Sequence, residues 1–127
     1  MPAYDGGRFS PPAPVALVTL QNPETGKEMS EVPMLIDSGA DISMVPQRAV
    51  AELAVDASAD QFEILGVEGL STFAKVVWLE LLFLGRKFRG EFLITESEYG
   101  ILGRNILNRV PLLLDGPNLS WSEVRRQ

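Results

Sequence analysis

The stretch "MLIDSGADIS", residues Met34 to Ser43, sets an acid at the end of an apolar run and follows it with two small residues. Met34, Leu35 and Ile36 read as a strand heading for a core, and they deliver Asp37 there. A carboxylate in such a place must lose its charge, find a partner or do chemistry. Gly39 permits a tight turn and the close approach of another backbone. Ser38 can hydrogen-bond across a turn or to another chain. The plainest use of Asp-Ser-Gly is an Asx-type turn that closes the strand. The sequence around it has to decide between that use and catalysis.

The flanking segments read as β-structure. "PVALVTL" (14–20) is short, β-branched and apolar, "QNPETGKEM" carries turn signals, and "EVPMLID" (31–37) is the return strand. In "VPQRAVAEL" (45–53), Ala49, Val50 and Leu53 fall at helical spacing, with Pro46 tolerated at a first turn. "FEILGVEGLSTFAKVV" (62–77) has two apolar arms about a glycine-bearing middle, which predicts a hairpin with a flexible tip. "KVVWLELLFL" runs to a turn at Gly85-Arg86-Lys87, and "FRGEFLIT" (88–95) comes back. "YGILG" (99–103) is a further apolar run, "RNILNRV" a helical turn or two, and "PLLLD" and "LSWSEV" flank a Gly116-Pro117-Asn118 turn. Strands joined by short turns, with one or two short helices, predict an all-β domain. Residues 1–13, rich in Gly, Pro and Ser, read as a flexible N-terminal arm, leaving 14–127 as a single domain.

Composition narrows the chemistry. With 127 residues the chain supports one core. Its net charge of -6, with eleven Lys and Arg and no long basic run, argues against a nucleic-acid partner. It has no histidine and no cysteine, which excludes Ser-His-Asp and Cys-His catalysis, thiol redox work and zinc sites of the usual ligands. "DSGAD" offers too few oxygen ligands for a calcium loop, so no metal and no cofactor is expected. The start lacks the order of a signal peptide, and Val76 to Leu84, interrupted by Glu80, is too short to span a bilayer. A cytoplasmic protein without a membrane partner is the expectation.

The region around Asp37 resembles the retropepsin family, the retroviral-type aspartic proteases, whose signature is an apolar pair or triplet followed by Asp-Thr/Ser-Gly-Ala. "LIDSGAD" fits at every position. Downstream, "ILGRN" (101–105) resembles the second signature, followed by the apolar helix that "ILNRV" provides. Between them, "GVEGLSTFAKV" resembles the flap hairpin. The resemblance implies a small closed β-barrel and a flap whose tip is Leu70, between Gly69 and Ser71, with Glu68, Ser71 and Thr72 departing from the glycine-rich family tip.

The resemblance has a stoichiometric consequence. Aspartic proteolysis needs two carboxylates sharing one proton, and this chain has one Asp-Ser-Gly. The implied active form is a symmetric homodimer that cuts peptide or protein substrates, with Asp37 from each subunit as the dyad. Ser38, Gly39 and Ala40 complete the active-site loop. Gly39, Asp41, Gly69, Leu70 and Ser71 would hold substrate, and Asp41 and Arg104 would form a buried ion pair beneath the dyad. Ala40, where pepsin-like enzymes place a hydroxyl, predicts activity reaching toward weakly acid or near-neutral pH.

Ile36, Val45, Ile64, Leu65, Ile101 and Leu102 are candidates for subsites or plain core, and Trp78 and Trp121 for core or dimer contact. The arginine that many members carry before the first long strand has no counterpart in "PAPVALV". The resemblance implies a terminal sheet woven from the ends of both chains, a seam to which the "LSWSEVRRQ" tail could add a strand. The rival reading is a non-catalytic relative that dimerises or binds peptide. A third is a small barrel carrying an apolar ligand as a monomer.

Overall fold

The computed structural model describes residues 2–65 and 71–125. Two long antiparallel strands, β2 (Ala13–Gln21) and β3 (Glu28–Ile36), follow a two-residue β1 (Tyr4–Asp5). A short β4 (Met44–Pro46) leads into α1 (Gln47–Leu53), and β5 (Ala57–Leu65), β6 (Ser71–Phe83) and β7 (Arg86–Thr95) form a meander. β8 (Gly100–Leu102), α2 (Arg104–Leu107) and the hairpin β9 (Leu112–Asp115) and β10 (Ser120–Glu123) complete the chain. The fold is mainly β, as its strand-and-turn pattern predicts. The strand order is β1-β2-β3-β8-β4-β7-β6-β5, and β2 also pairs with β6 through Thr19–Gln21. Hydrogen-bonded strands therefore run in a circuit from β2 round to β6 and back.

The core fills that circuit because alternate residues on each strand point inward. Ala16, Val18 and Leu20 on β2 are buried while Leu17 is exposed, and Val77, Leu79, Leu81 and Phe83 line the inner face of β6. α1 buries Ala49, Val50 and Leu53, the three residues at helical spacing. Trp121 is buried against Phe83, its indole N–H donating to the Val15 carbonyl at 3.2 Å. Of the two places expected for Trp78, core or dimer contact, the core is corrected: it is 51% exposed on β6 and belongs to neither core cluster.

Two features position the Asp37 segment. β3 and β8 run parallel, with Met34 beside Gly100 and Ile36 beside Leu102. Gly100 is required there, since a Cβ would lie 2.4 Å from the Met44 carbonyl oxygen. The start of the chain, expected as an arm, is hydrogen-bonded on both sides. Tyr4–Asp5 pairs with Ala13–Pro14, the Tyr4 N–H donates to the Leu119 carbonyl at 2.8 Å, and the Trp121 N–H donates to the Pro2 carbonyl at 3.0 Å.

Candidate active site

Asp37 sits one residue past β3, half-buried, in a loop whose course is set by backbone hydrogen bonds. Its N–H donates to the Leu102 carbonyl at 3.0 Å, so the register of β3 on β8 fixes where the side chain starts. The Gly39 N–H donates to Asp37 Oδ1 at 2.9 Å, and the Ala40 N–H closes the turn on the Asp37 carbonyl at 3.2 Å. A Cβ on Gly39 would come within 3.1 Å of that same Oδ1. The Asx turn and the oriented carboxylate are thus one arrangement.

The second signature grips this loop from behind. Arg104 N–H donates to the Ala40 carbonyl at 2.8 Å and Asn105 N–H to the Asp41 carbonyl at 3.2 Å. The Arg104 guanidinium donates from Nη1 to the Ser38 carbonyl at 2.7 Å and from Nη2 to Asp41 Oδ1 at 2.5 Å. This pair lies in the open, with the Asp41 side chain 83% and the Arg104 side chain 43% exposed, against the expectation of burial. Gly103 lets the two loops close: a Cβ would meet Ile42 C at 2.8 Å and Ala40 O at 2.9 Å.

Beneath lies a polar link that sequence reading missed. Ser43 is fully buried, and its hydroxyl accepts the Gly103 N–H at 2.9 Å while donating to Asn105 Oδ1 at 2.8 Å. The Ser43 N–H donates to the same Oδ1 at 2.9 Å. The signal was a lone serine between Ile42 and Met44 in an apolar stretch, a position that has to find partners if buried.

Asp37 opens into a cleft of about 440 Å³ lined by Gly39, Ala40, Ile42, Met44, Ile64 and Ile101, with Asp41, Glu63 and Leu93 also on its walls. Ile64 lies on β5, so the first arm of the β5–β6 hairpin forms one wall. Ile64 and Ile101 therefore face the cleft, whereas Val45 and Leu102 are wholly buried in the main core and Ile36 packs against it. Gly69 and Leu70, the expected flap tip, lie outside the described residues, as do the side chains of Leu65, Ser71 and Thr72. Among the described residues no cluster of three or more acids is placed to hold a metal ion, and no helix is long and apolar enough to cross a membrane.

The folded backbone is similar to those of solved viral proteases. It matches the EIAV protease complexed with the inhibitor HBY-793 at a TM-score of 0.57 and 22% identity, covering 76% of this chain and 86% of that one. It matches the Simian Foamy Virus (mac) protease at 0.52 and 20% identity, covering 75% and 92%. The foamy viral protease-reverse transcriptase matches at 0.52 and 19%, over 75% of this chain and 12% of that longer one. At these identities the likeness is one of fold. No curated protein matches the sequence. A family model described as retroviral aspartyl protease matches residues 12–115, both signatures and the hairpin between them included, and the chain belongs to that family.

Proposed function

We propose that this protein is an aspartic endopeptidase, working as a homodimer in which Asp37 of each subunit supplies one carboxylate of the dyad. The observation that carries the reading is the delivery of Asp37 from β3 into an apolar cleft, with Oδ1 turned by the Gly39 N–H. Two such carboxylates brought together share one proton, because like charges at contact cannot both ionise. The ionised member takes a proton from a water held between them. The protonated member donates to the peptide carbonyl oxygen, and the proton then passes to the leaving amine. Ser38 ties the two loops together across the subunits, and Ala40 leaves the dyad without a hydroxyl donor.

Substrate lies extended between the β5–β6 hairpin and the floor, held through its backbone by Gly39, Asp41, Gly69, Leu70 and Ser71 in the manner of an added strand. Ile64 and Ile101 favour apolar side chains beside the scissile bond. The working unit is the domain 14–127, in a cytoplasmic setting, with no metal or cofactor in the chemistry.

Asp37→Asn tests this. Cleavage of a peptide library across acid to neutral pH should fall by about a thousandfold or more in the variant, with the fold unchanged. Turnover that survives the substitution overturns the protease reading. A wild type that binds peptide and never cleaves it leaves the rival, a non-catalytic dimerising or peptide-binding module, in its place.

A further inference from the structure

The chain start is folded back on the body by its own residues. β1 and β2 form a hairpin, with Tyr4 opposite Pro14 and Asp5 opposite Ala13, and residues 6–12 make the loop between them. Asp5 shapes that loop. Its Oδ1 accepts the Gly7 and Arg8 N–H groups at 2.9 Å each, and its Oδ2 accepts Arg8 Nη1 at 2.6 Å. Pro11, Pro12 and Pro14 fix φ along the return, so the ordered loop has little freedom to lose. At its other end the hairpin is moored to β10 through Pro2 and Tyr4.

The tip of the loop reaches a second loop. Phe9, half-buried, sets its ring edge-on to that of Tyr99, with centroids 4.9 Å apart and planes at 65°. Arg8 Nε lies 3.7 Å from Glu98 Oε1. Both partners belong to residues 96–99, the link from β7 to β8. Three hydrogen bonds of that link are long. The Ser97 N–H donates to Thr95 Oγ1 at 3.2 Å, the Tyr99 N–H to Ser97 Oγ at 3.4 Å, and Arg48 Nη2 to the Glu98 carbonyl at 3.2 Å. Of the two contacts from the β1–β2 loop, the ring pair is the stronger. The Arg8 and Glu98 side chains are 39% and 72% exposed, and a pair so open contributes little. An edge-on aromatic pair is directional and adds to the area it buries.

The link leads straight into the cleft. Tyr99 precedes Gly100, which is packed against Met34 and the Met44 carbonyl, and Ile101 beyond it pairs with Met44 and lines the cleft with Asp37. On the other side of the link, Thr95 and Glu96 line a recess of about 430 Å³ that shares Met44 and Ile64 with the cleft. Packing this close transmits a displacement of Tyr99 to Ile101.

We propose that Phe9 is a positioning residue. Acting through Tyr99, it clamps residues 96–99 and with them the Ile101 wall, and so sets which apolar side chain a bound peptide can place there. The inference rests on the cleft being the peptide site of the reading above, and it extends the working unit ahead of residue 14.

Two readouts on the full chain test it. In hydrogen exchange, Phe9→Ala should speed the Tyr99, Gly100 and Ile101 amides by about threefold to tenfold and leave those of β6 and β7 unchanged. Phe9→Tyr, which keeps the ring, should exchange as wild type does. The second readout is cleavage of peptides that differ only in the apolar residue beside the scissile bond. There Phe9→Ala should raise KM by about threefold to tenfold and flatten the preference among them, with kcat within about twofold of wild type. A mere loss of folded protein would instead lower kcat and leave KM and preference alone. Unaltered exchange in Phe9→Ala, or faster exchange that Phe9→Tyr shares, overturns the clamp. Faster exchange with KM and preference as in wild type overturns the positioning role. A wild type that binds peptide without cleaving it refutes the protease, and the preference is then read from binding. One that neither cleaves nor binds peptide overturns the positioning role as well, while exchange still decides the clamp.

Discussion

Ser43 offers the sharpest test of how the two signatures are joined. Replacing it with alanine deletes one hydroxyl at a fully buried position. That hydroxyl accepts from Gly103 N–H and donates to Asn105 Oδ1. Losing the donated bond costs about 1 kcal/mol. The Gly103 N–H, buried and without its acceptor, costs a further 1–3 kcal/mol or so. The void left by one oxygen is too small to admit a water that could stand in.

Asn105 Oδ1 still receives the Ser43 N–H, so that end of the link is only weakened. The sum is about 2–4 kcal/mol, a large part of the roughly 5–15 kcal/mol that holds a domain of this size folded. At a urea slope of about 2 kcal/mol per molar, the midpoint should fall by about 1–2 M with the slope unchanged. Asn105→Ala should cost less, because Asn105 is exposed and water replaces part of what it accepted. The double variant should fall short of the sum of the two by about 1 kcal/mol. A loss under about 0.5 kcal/mol for Ser43→Ala, or strict additivity with Asn105→Ala, refutes the idea that this link joins the loops.

Other substitutions separate stability from loop order. Arg104→Ala should cost no more than about 1 kcal/mol in urea melts, since the Asp41 pair is exposed, yet amide protection at Ser38–Ala40 should drop as the Ser38 carbonyl loses its donor. A loss above about 2 kcal/mol would mean that the pair is structural in the single chain. At the chain start, the Arg8 backbone N–H, and next its guanidinium, hold the Asp5 carboxyl below its ordinary 3.8. A depressed acid lends support that is full above the unfolded value and is lost as pH falls through the folded one. Protection of the Gly7 and Arg8 amides should therefore be flat from neutral pH to about pH 4 and decline below it. In Asp5→Asn that decline should be absent. Protection that declines in wild type well above pH 4 contradicts the assignment.

The parts of the fold legible in the chain are those where one residue type meets one local demand. Apolar alternation named β2 and β3 to within one residue for β2 and three for β3, and Ala49, Val50 and Leu53 named the buried face of α1. The Asp37 loop was legible because a carboxylate behind an apolar run, followed by glycine, has few uses. β1 and β4 were not, since two or three residues carry no periodicity and owe their pairing to strands far along the chain. Ser43 and Asn105 meet across 62 residues, and neither is unusual where it stands.

β6 shows why local pattern misplaces a side chain. In "KVVWLELLFL" Trp78 and Glu80 share one face of the strand, and hydrophobicity alone would bury the tryptophan before the glutamate. The fold does the reverse on one face: Trp78 is 51% exposed and Glu80 is 4% exposed. β2 pairs with β6 only from Thr19 to Gln21, alongside Leu82 back to Glu80, and ends short of Trp78. There Glu80 is paired with Lys87 and Arg89, which reach it at 3.4 and 3.3 Å from β7. Burial along a strand is decided by where its neighbour ends, and a buried carboxylate by which cations the next strand sets opposite it. The same rule governs Asp37, at the end of β3 rather than its middle. Its backbone N–H and carbonyl are bonded to Leu102 and Ala40 of its own chain, and the proposed dyad takes its second carboxylate from a second copy.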